Sequence, residues 1–339
     1  MARTNRSFEQ LISDWEPRLQ RAFLDSVYNI RDQAHLDQIA RMVENGDIDG
    51  AMRAVGLDEA SFRPFDKSIA NAFEAGGDAT AAAVPAVRDA EGFRTTFQFA
   101  VRNPDAEMWL RNYSGNLIRD IVTDQKTAVR NFLEAGLSQG ANPRTTALDL
   151  VGRISRSSGQ REGGVIGLTS SQEEWVRNYA AELASDTPSD ALARNLRDAR
   201  FDRAVLKAES SGQPLERGLI DKMVTAYKNR ALKYRADTIA RKETITALHT
   251  AQEKAVQQAI GKGVVDQTAV TYVWRTAHDS RVRTSHLVMD GQVRKEGQPF
   301  VTGAGYHLLY PGDPSGPASE VINCRCYREP KIDFLAGIK

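Results

Sequence analysis

The chain has 339 residues, and its 45 Lys and Arg nearly cancel 44 Asp and Glu, for a net charge of +1. That balance excludes nucleic-acid binding by overall charge and leaves only local basic patches as candidates. No run approaches the roughly 18 apolar residues of a membrane span. Met1-Ala-Arg-Thr-Asn-Arg-Ser7 lacks the apolar core of a signal peptide, so a protein made and used in a cytosol, or in something assembled there, is expected.

Residues 7 to 46 read mostly as helix. Leu11, Ile12, Trp15, Leu19, Phe23, Val27 and Ile30 recur at three- and four-residue spacing, an apolar stripe. Pro17 lies inside it and predicts a kink or a new helix start. Asn45-Gly46-Asp47 and Asp49-Gly50 are turn signals. A short helix follows, then an Ala-rich stretch from Phe65 to Ala90 that Gly76-Gly77 are expected to break and Pro85 to stop or kink. Asp105 to Leu137 is a stronger helical segment, with Gly115 as a candidate break between two helices.

Gly140-Ala-Asn-Pro143 predicts a turn with Pro143 at the first position of the next helix. The polar, glycine-rich stretch from Ser155 to Gly164 reads as a mobile, solvated loop, with a phosphate contact as the alternative for its two arginines. Thr169-Ser-Ser-Gln-Glu-Glu174 overlays several capping-box registers and starts a helix that Thr187-Pro188 ends. Pro214-Leu-Glu-Arg217 opens the longest helix, reaching about Gly261. Within it Lys228, Arg230, Lys233, Arg235, Arg241 and Lys242 fall in fifteen residues. A solvated face is the default for such a run; binding to DNA phosphates or to an acidic protein ring is the alternative.

The texture changes beyond Gly261-Lys-Gly263. Thr268 to Thr276 is β-branched and aromatic with alternation, which predicts a strand. Asp290-Gly291, flanked by Leu287-Val-Met289 and Gln292-Val293, reads as a hairpin with positive φ at Gly291. Tyr310-Pro-Gly-Asp-Pro314 reads as a type II turn with Pro311 second and Gly312 third. Both cysteines, three of five histidines and five of twelve prolines lie in this closing stretch.

Cys324 and Cys326, two apart, cannot form a relaxed disulfide framework. They are free thiols, metal ligands or buried small residues. On an extended segment they point to one side, and with His278 and His286 they make a candidate Cys2His2 set for a structural zinc, although the usual spacing is Cys-x2-4-Cys. Against this stands a structural reading of buried thiols and histidines bonded to turns; no other cofactor is expected. His278, His286 and Asp290 could serve acid–base chemistry, but no nucleophile elbow, His-Glu-x-x-His or Walker sequence is present. Asp279, Arg281 and Arg283 suit ion pairs and loop caps. No enzymatic activity is expected.

Taken in order, Ile239-Ala-Arg-Lys-Glu-Thr244, Trp274, Asp279-Ser-Arg-Val-Arg283, His286, Asp290-Gly291, Pro311, Pro317, Glu320 and Asn323-Cys-Arg-Cys326 resemble the C-terminal domain of the phage Mu F-like minor head proteins, the phage head morphogenesis family. The resemblance covers about residues 235 to 330. Lys242 departs from it, standing where that family usually has Thr. The resemblance implies a virion protein of a tailed phage head, near the portal vertex, in multiple copies and assembled in the host cytoplasm. Its implied partners are the portal protein, other head proteins and the packaged double-stranded DNA. It carries no catalytic residues over.

The expected fold is mainly α, a long helical N-terminal region followed by a small compact α+β C-terminal domain. The expected segments are 1–95, helical; 96–263, helical and ending in the long basic helix; and 264–339, Mu F-like. The expected function is a minor head protein acting in head morphogenesis and in DNA packaging or ejection. The alternatives are a metal-dependent nuclease or transferase domain fused to a helical region, and an internal scaffold released before maturation.

Overall fold

A computed structural model describes residues 7–85, 87–88 and 94–333. It is mainly α with a small α+β C-terminal region, as the sequence implies. The helices are α1 (Phe8–Gln33), α2 (Leu36–Glu44), α3 (Ile48–Val55), α4 (Arg63–Ala83), α5 (Pro104–Ser138), α6 (Pro143–Val151), α7 (Ser170–Leu183), α8 (Asp202–Ser211), α9 (Arg217–Gly261), α10 (Thr284–Leu287) and α11 (Ala318–Val321). The strands are β1 (Val87–Arg88), β2 (Arg94–Thr95), β3 (Arg153–Ile154), β4 (Arg161–Glu162), β5 (Val270–Arg275), β6 (Val293–Lys295), β7 (Phe300–Val301), β8 (His307–Leu308) and β9 (Tyr327–Ile332). Among the described residues no helix is long and apolar enough to cross a membrane. The sequence reading of Met1 to Arg6 lies outside the described residues.

Local chemistry sets many of these boundaries. The Asp47 side chain caps α3, and Asn142 caps α6 with Pro143 at its first position. Thr169 and Gln172 close a reciprocal capping box on α7. Other expectations yield to packing. Pro17 sits inside α1 without starting a new helix, because Leu11, Leu19, Phe23, Val27 and Ile30 are buried on both sides of it. Gly76-Gly77 do not break α4. A Cβ on Gly76 would lie 2.9 Å from the Leu248 carbonyl oxygen, and one on Gly77 would lie 2.1 Å from the Phe99 ring. They are close-approach glycines. Gly115 likewise lies within an unbroken α5.

The chain divides into two compact units, and each is discontinuous: one is Met1–Ala22, Phe65–Gly115 and Asp237–Lys339, the other Phe23–Pro64 and Asn116–Ala236. The three consecutive segments expected from the sequence are therefore not the compact units, because α1, α5 and α9 each give residues to both.

In the second unit the segment Gly163–Leu168 is buried throughout. A buried loop needs partners for its backbone carbonyls, and arginines supply them. Arg31 donates to the Gly164 carbonyl at 3.0 Å and, through Nε, to that of Ile166 at 2.9 Å; Arg235 donates to Gly167 at 2.9 Å. Burial lowers both guanidinium pKa values to about 10. Lys228 is buried beside the Asp149 carbonyl at 3.4 Å, and burial lowers its pKa to about 8. The stretch expected to be a mobile loop starts as the short β3–β4 hairpin, where Arg161 donates to the Gly152 carbonyl and lies 3.4 Å from Asp32. Its Gly163 and Gly164 are interior.

The first unit holds the C-terminal region. Its three-stranded antiparallel sheet has the order β6-β5-β9, with Thr271 opposite both Lys295 and Lys331. Val270-Thr-Tyr-Val-Trp-Arg275 suits a central strand by its β-branched and aromatic content. Pro330, which has no N–H to give, sits on edge strand β9. The core joins Tyr272, Trp274, Met289, Phe300, Leu308, Val321, Cys324 and Cys326 to Val256 and Ala259 of α9. The expected Asp290-Gly291 hairpin is corrected. Leu287 ends α10, so no strand precedes the turn, and β6 pairs with β5 instead. Gly291 does take positive φ, +76°, and its N–H donates to the Trp274 carbonyl at 2.9 Å. The Pro311-Gly312 turn is as expected, with Gly312 at φ +79° and the Asp313 N–H donating to the Tyr310 carbonyl.

Candidate functional site

Two buried polar groups are assembled in the C-terminal region. The first is built from α10, α11 and the extended segment entering β9. Asn323 adopts φ +56°, a left-handed conformation that Asn tolerates better than most residues. After it, burial alternates: Cys324, Cys326 and Arg328 are buried, while Arg325 and Tyr327 are half-buried. Both thiols therefore face inward, as residues two apart on extended chain should. They are free. His286 on α10 is 1% exposed and meets them: its Nδ1 lies 3.6 Å from Cys324 Sγ and 3.5 Å from Cys326 Sγ. Among the described residues these three form a group whose ligand atoms all lie within 4.8 Å of one another.

The other face of the imidazole meets Glu320 of α11, with Nε2 2.9 Å from Oε2. The approach is bent, so Nε2 makes no aligned hydrogen bond. Ser285 Oγ donates to the same carboxylate at 2.9 Å. Trp274 packs edge-on against the His286 ring at 5.5 Å. Hydrogen bonding from Cys326, and then from His286, pushes the Cys324 thiol well below its ordinary pKa; the same bond and burial push Cys326 up.

His278 does not join this group. It takes φ +50°, its side chain is 70% exposed, and its Nε2 stands 3.7 Å from Asp290. Asp290 instead accepts hydrogen bonds from the backbone N–H and hydroxyl of Thr276. The four-residue set expected from the sequence thus becomes three. Asp279 pairs with Arg325 and caps the Arg281 N–H, and Arg283 donates to the Ile322 carbonyl, so this stretch is loop-capping as expected.

The second group centres on Arg328, 2% exposed. Nε donates to Gln252 at 2.9 Å, one terminal nitrogen to Glu253 at 2.5 Å and the other to the Leu309 carbonyl at 3.2 Å. Its guanidinium also stacks 4.0 Å from the Tyr272 ring. The Arg328 backbone N–H donates to His249 Nε2 at 3.1 Å. An accepting Nε2 places the ring proton on Nδ1, which then donates to the Ile245 carbonyl at 2.9 Å. His249 is therefore neutral, and burial followed by the Arg328 charge holds its pKa well below 6.5. Glu243 to Glu253 of α9 are buried without interruption, and Thr246 and Thr250 bond to Gly312 and Tyr310. Sequence reading missed Glu320, His249 and Arg328 as site residues. Each is an ordinary helix or strand residue whose role arises only when distant segments meet.

The basic run on α9 does not form a free face. Lys228 and Arg235 are buried. Arg230 pairs with Asp198 and the Arg197 carbonyl, Arg241 with Glu16 and Lys242 with Glu243. Of the six, Arg230 and Lys233 are exposed. For Lys228 and Arg235 both the solvated-face reading and the phosphate-binding reading are thereby excluded.

This helical chain closes on a small sheet with a buried His-Cys-Cys group. Residues 189–328 match the family model described as Phage Mu protein F like protein. The match includes the motifs read from the sequence and extends N-terminally past the start of α9. No curated protein and no solved structure matches the chain.

Proposed function

We propose that the protein is a minor head protein of a tailed phage, associated with the portal vertex in several copies and acting in head morphogenesis. The observation that carries this reading is the family match over residues 189–328. Its proposed partners are the portal protein and other head proteins, with packaged double-stranded DNA as a further one. The role is structural rather than catalytic. Leu287, Val288, Val293, Val301, Tyr306 and Leu309, half of the exposed large hydrophobic residues, crowd into one stretch of the C-terminal region. Apolar surface of this kind suits attachment to a larger assembly.

Quantitative mass spectrometry of mature particles tests the reading. A low, fixed copy number per particle is expected. Presence in precursor heads and absence from mature ones would replace it with an internal scaffold. A nuclease activity of the purified chain that is lost in His286→Ala would overturn the structural role.

A further inference from the structure

We propose that His286, Cys324 and Cys326 bind one zinc ion through the imidazole Nδ1 and the two thiolates, with Glu320 positioning the imidazole from behind and solvent in the fourth place. The inference is independent of the head-protein reading.

The distances carry it first. Zinc bonds of about 2.0–2.1 Å to nitrogen and about 2.3 Å to sulfur, at a tetrahedral angle, hold N and S roughly 3.5–3.6 Å apart. The two observed separations are 3.6 and 3.5 Å. One imidazole lone pair accepts one S–H well. Near-equal approach to two sulfurs uses that lone pair poorly as a hydrogen-bond acceptor and well as a ligand of an ion lying between all three atoms. The donor set is thiolate and imidazole, which suits zinc and other borderline or soft ions and not the oxygen-seeking magnesium or calcium.

The carboxylate behind the imidazole carries it second. A zinc-bound histidine ordinarily turns its other ring nitrogen to a carboxylate, which fixes the tautomer. Here Nε2 faces Glu320 at 2.9 Å and has no aligned partner, and Glu320 is itself held by Ser285. A proton on Nε2 leaves the Nδ1 lone pair to the ion. Three protein donors leave one tetrahedral place. A cleft of about 400 Å³, lined in part by Glu9, Glu16, Arg241, Asp279, Cys324 and Arg325, reaches the group at Cys324, where the fourth ligand would enter. The ion ties α10 to the segment entering β9, two parts of the chain some forty residues apart by the 38- and 40-residue separations of these contacts.

The test uses the full chain, purified under reducing conditions, with zinc content measured directly and cobalt(II) as a spectroscopic substitute. About one zinc per chain is expected, and cobalt should give tetrahedral visible bands with a thiolate charge-transfer band. Glu320→Gln should weaken zinc binding by about 10–100-fold with the cobalt spectrum kept, as for other carboxylates behind a ligating histidine. His278→Ala should leave affinity unchanged. Cys324→Ser and Cys326→Ser should each weaken binding by more than Glu320→Gln does; if these variants fail to fold, the wild-type cobalt spectrum decides alone. A folded wild-type chain that takes up neither metal, or a cobalt spectrum without thiolate charge transfer, overturns the site. Added azide should shift the cobalt bands; an unmoved spectrum overturns solvent as the fourth ligand.

Discussion

Around Arg328 each guanidinium nitrogen donates to a protein acceptor, whereas in the His286 group one ring nitrogen stands almost equally close to two thiol sulfurs. Both groups are buried in the same region, and both join a segment leading into or along β9 to distant parts of the chain. Their difference separates two uses of buried polarity. A closed network holds a charge at tolerable cost because each donor finds an acceptor. A group that gathers three ligand-type atoms about one point is shaped for something that is not protein. Burial alone would rank the two groups alike, and donor type and spacing divide them.

The comparison can be broken most forcefully at Arg328. Arg328→Met leaves Glu253 buried without its partner and should cost about 3–5 kcal/mol in urea unfolding; a loss under about 1 kcal/mol would mean that the network is not a closed support. Gly312→Ala comes next. Gly312 has φ +79°, and an added Cβ would lie 2.9 Å from Ile245 and 3.1 Å from Thr246 of α9. The left-handed backbone alone should cost about 1–2 kcal/mol, and a fully stable variant would show that the turn does not seat against α9.

His249 gives a smaller, pH-dependent effect. Its folded pKa is depressed below 6.5, so the unfolded chain binds the extra proton as pH falls through 6.5. Stability is then complete above that pH and declines below it, by up to about 1.4 kcal/mol per pH unit until the folded pKa is reached. Glu296 acts in the opposite sense. Burial and the Glu253 charge raise its pKa from 4.5 to about 7, so its contribution fades as pH rises through that window. The histidine slope is therefore read in a Glu296→Gln background, where a flat profile between pH 5 and 6.5 would contradict the neutral His249 assignment. The smallest effect is expected from His278→Ala, within about 0.5 kcal/mol as for an ordinary surface position; a larger change would return His278 to the cluster.

Signals written within a few residues were legible in the sequence. Asn142-Pro143, Thr169 with Gln172, the β5 composition and the Pro311-Gly312 turn all depend on neighbours along the chain, and all formed as expected. The Mu F-like motifs were legible for the same reason. What failed depended on contacts across the chain. Gly76-Gly77 look like a break until Leu248 and Phe99 occupy the space beside them. Arg235 looks like surface charge until the buried Gly167 carbonyl needs a donor. Cys324, Cys326 and His286 could be named because ligand-type residues are few. His278 was grouped with them because spacing does not reveal that a left-handed backbone sends its side chain to solvent. Glu320 was legible only as part of the Mu F-like motif, since its place behind the imidazole exists only after α10 and α11 meet.

The most direct test of the division between ligand site and closed support is the zinc dependence of unfolding in wild-type, Cys326→Ser and Arg328→Met chains. Free zinc at a thousandfold its dissociation constant should stabilise the wild type by about 4 kcal/mol. The same increment should appear in Arg328→Met, on a lower baseline, and should vanish in Cys326→Ser. Equal stabilisation of all three chains, or of none, would contradict the account.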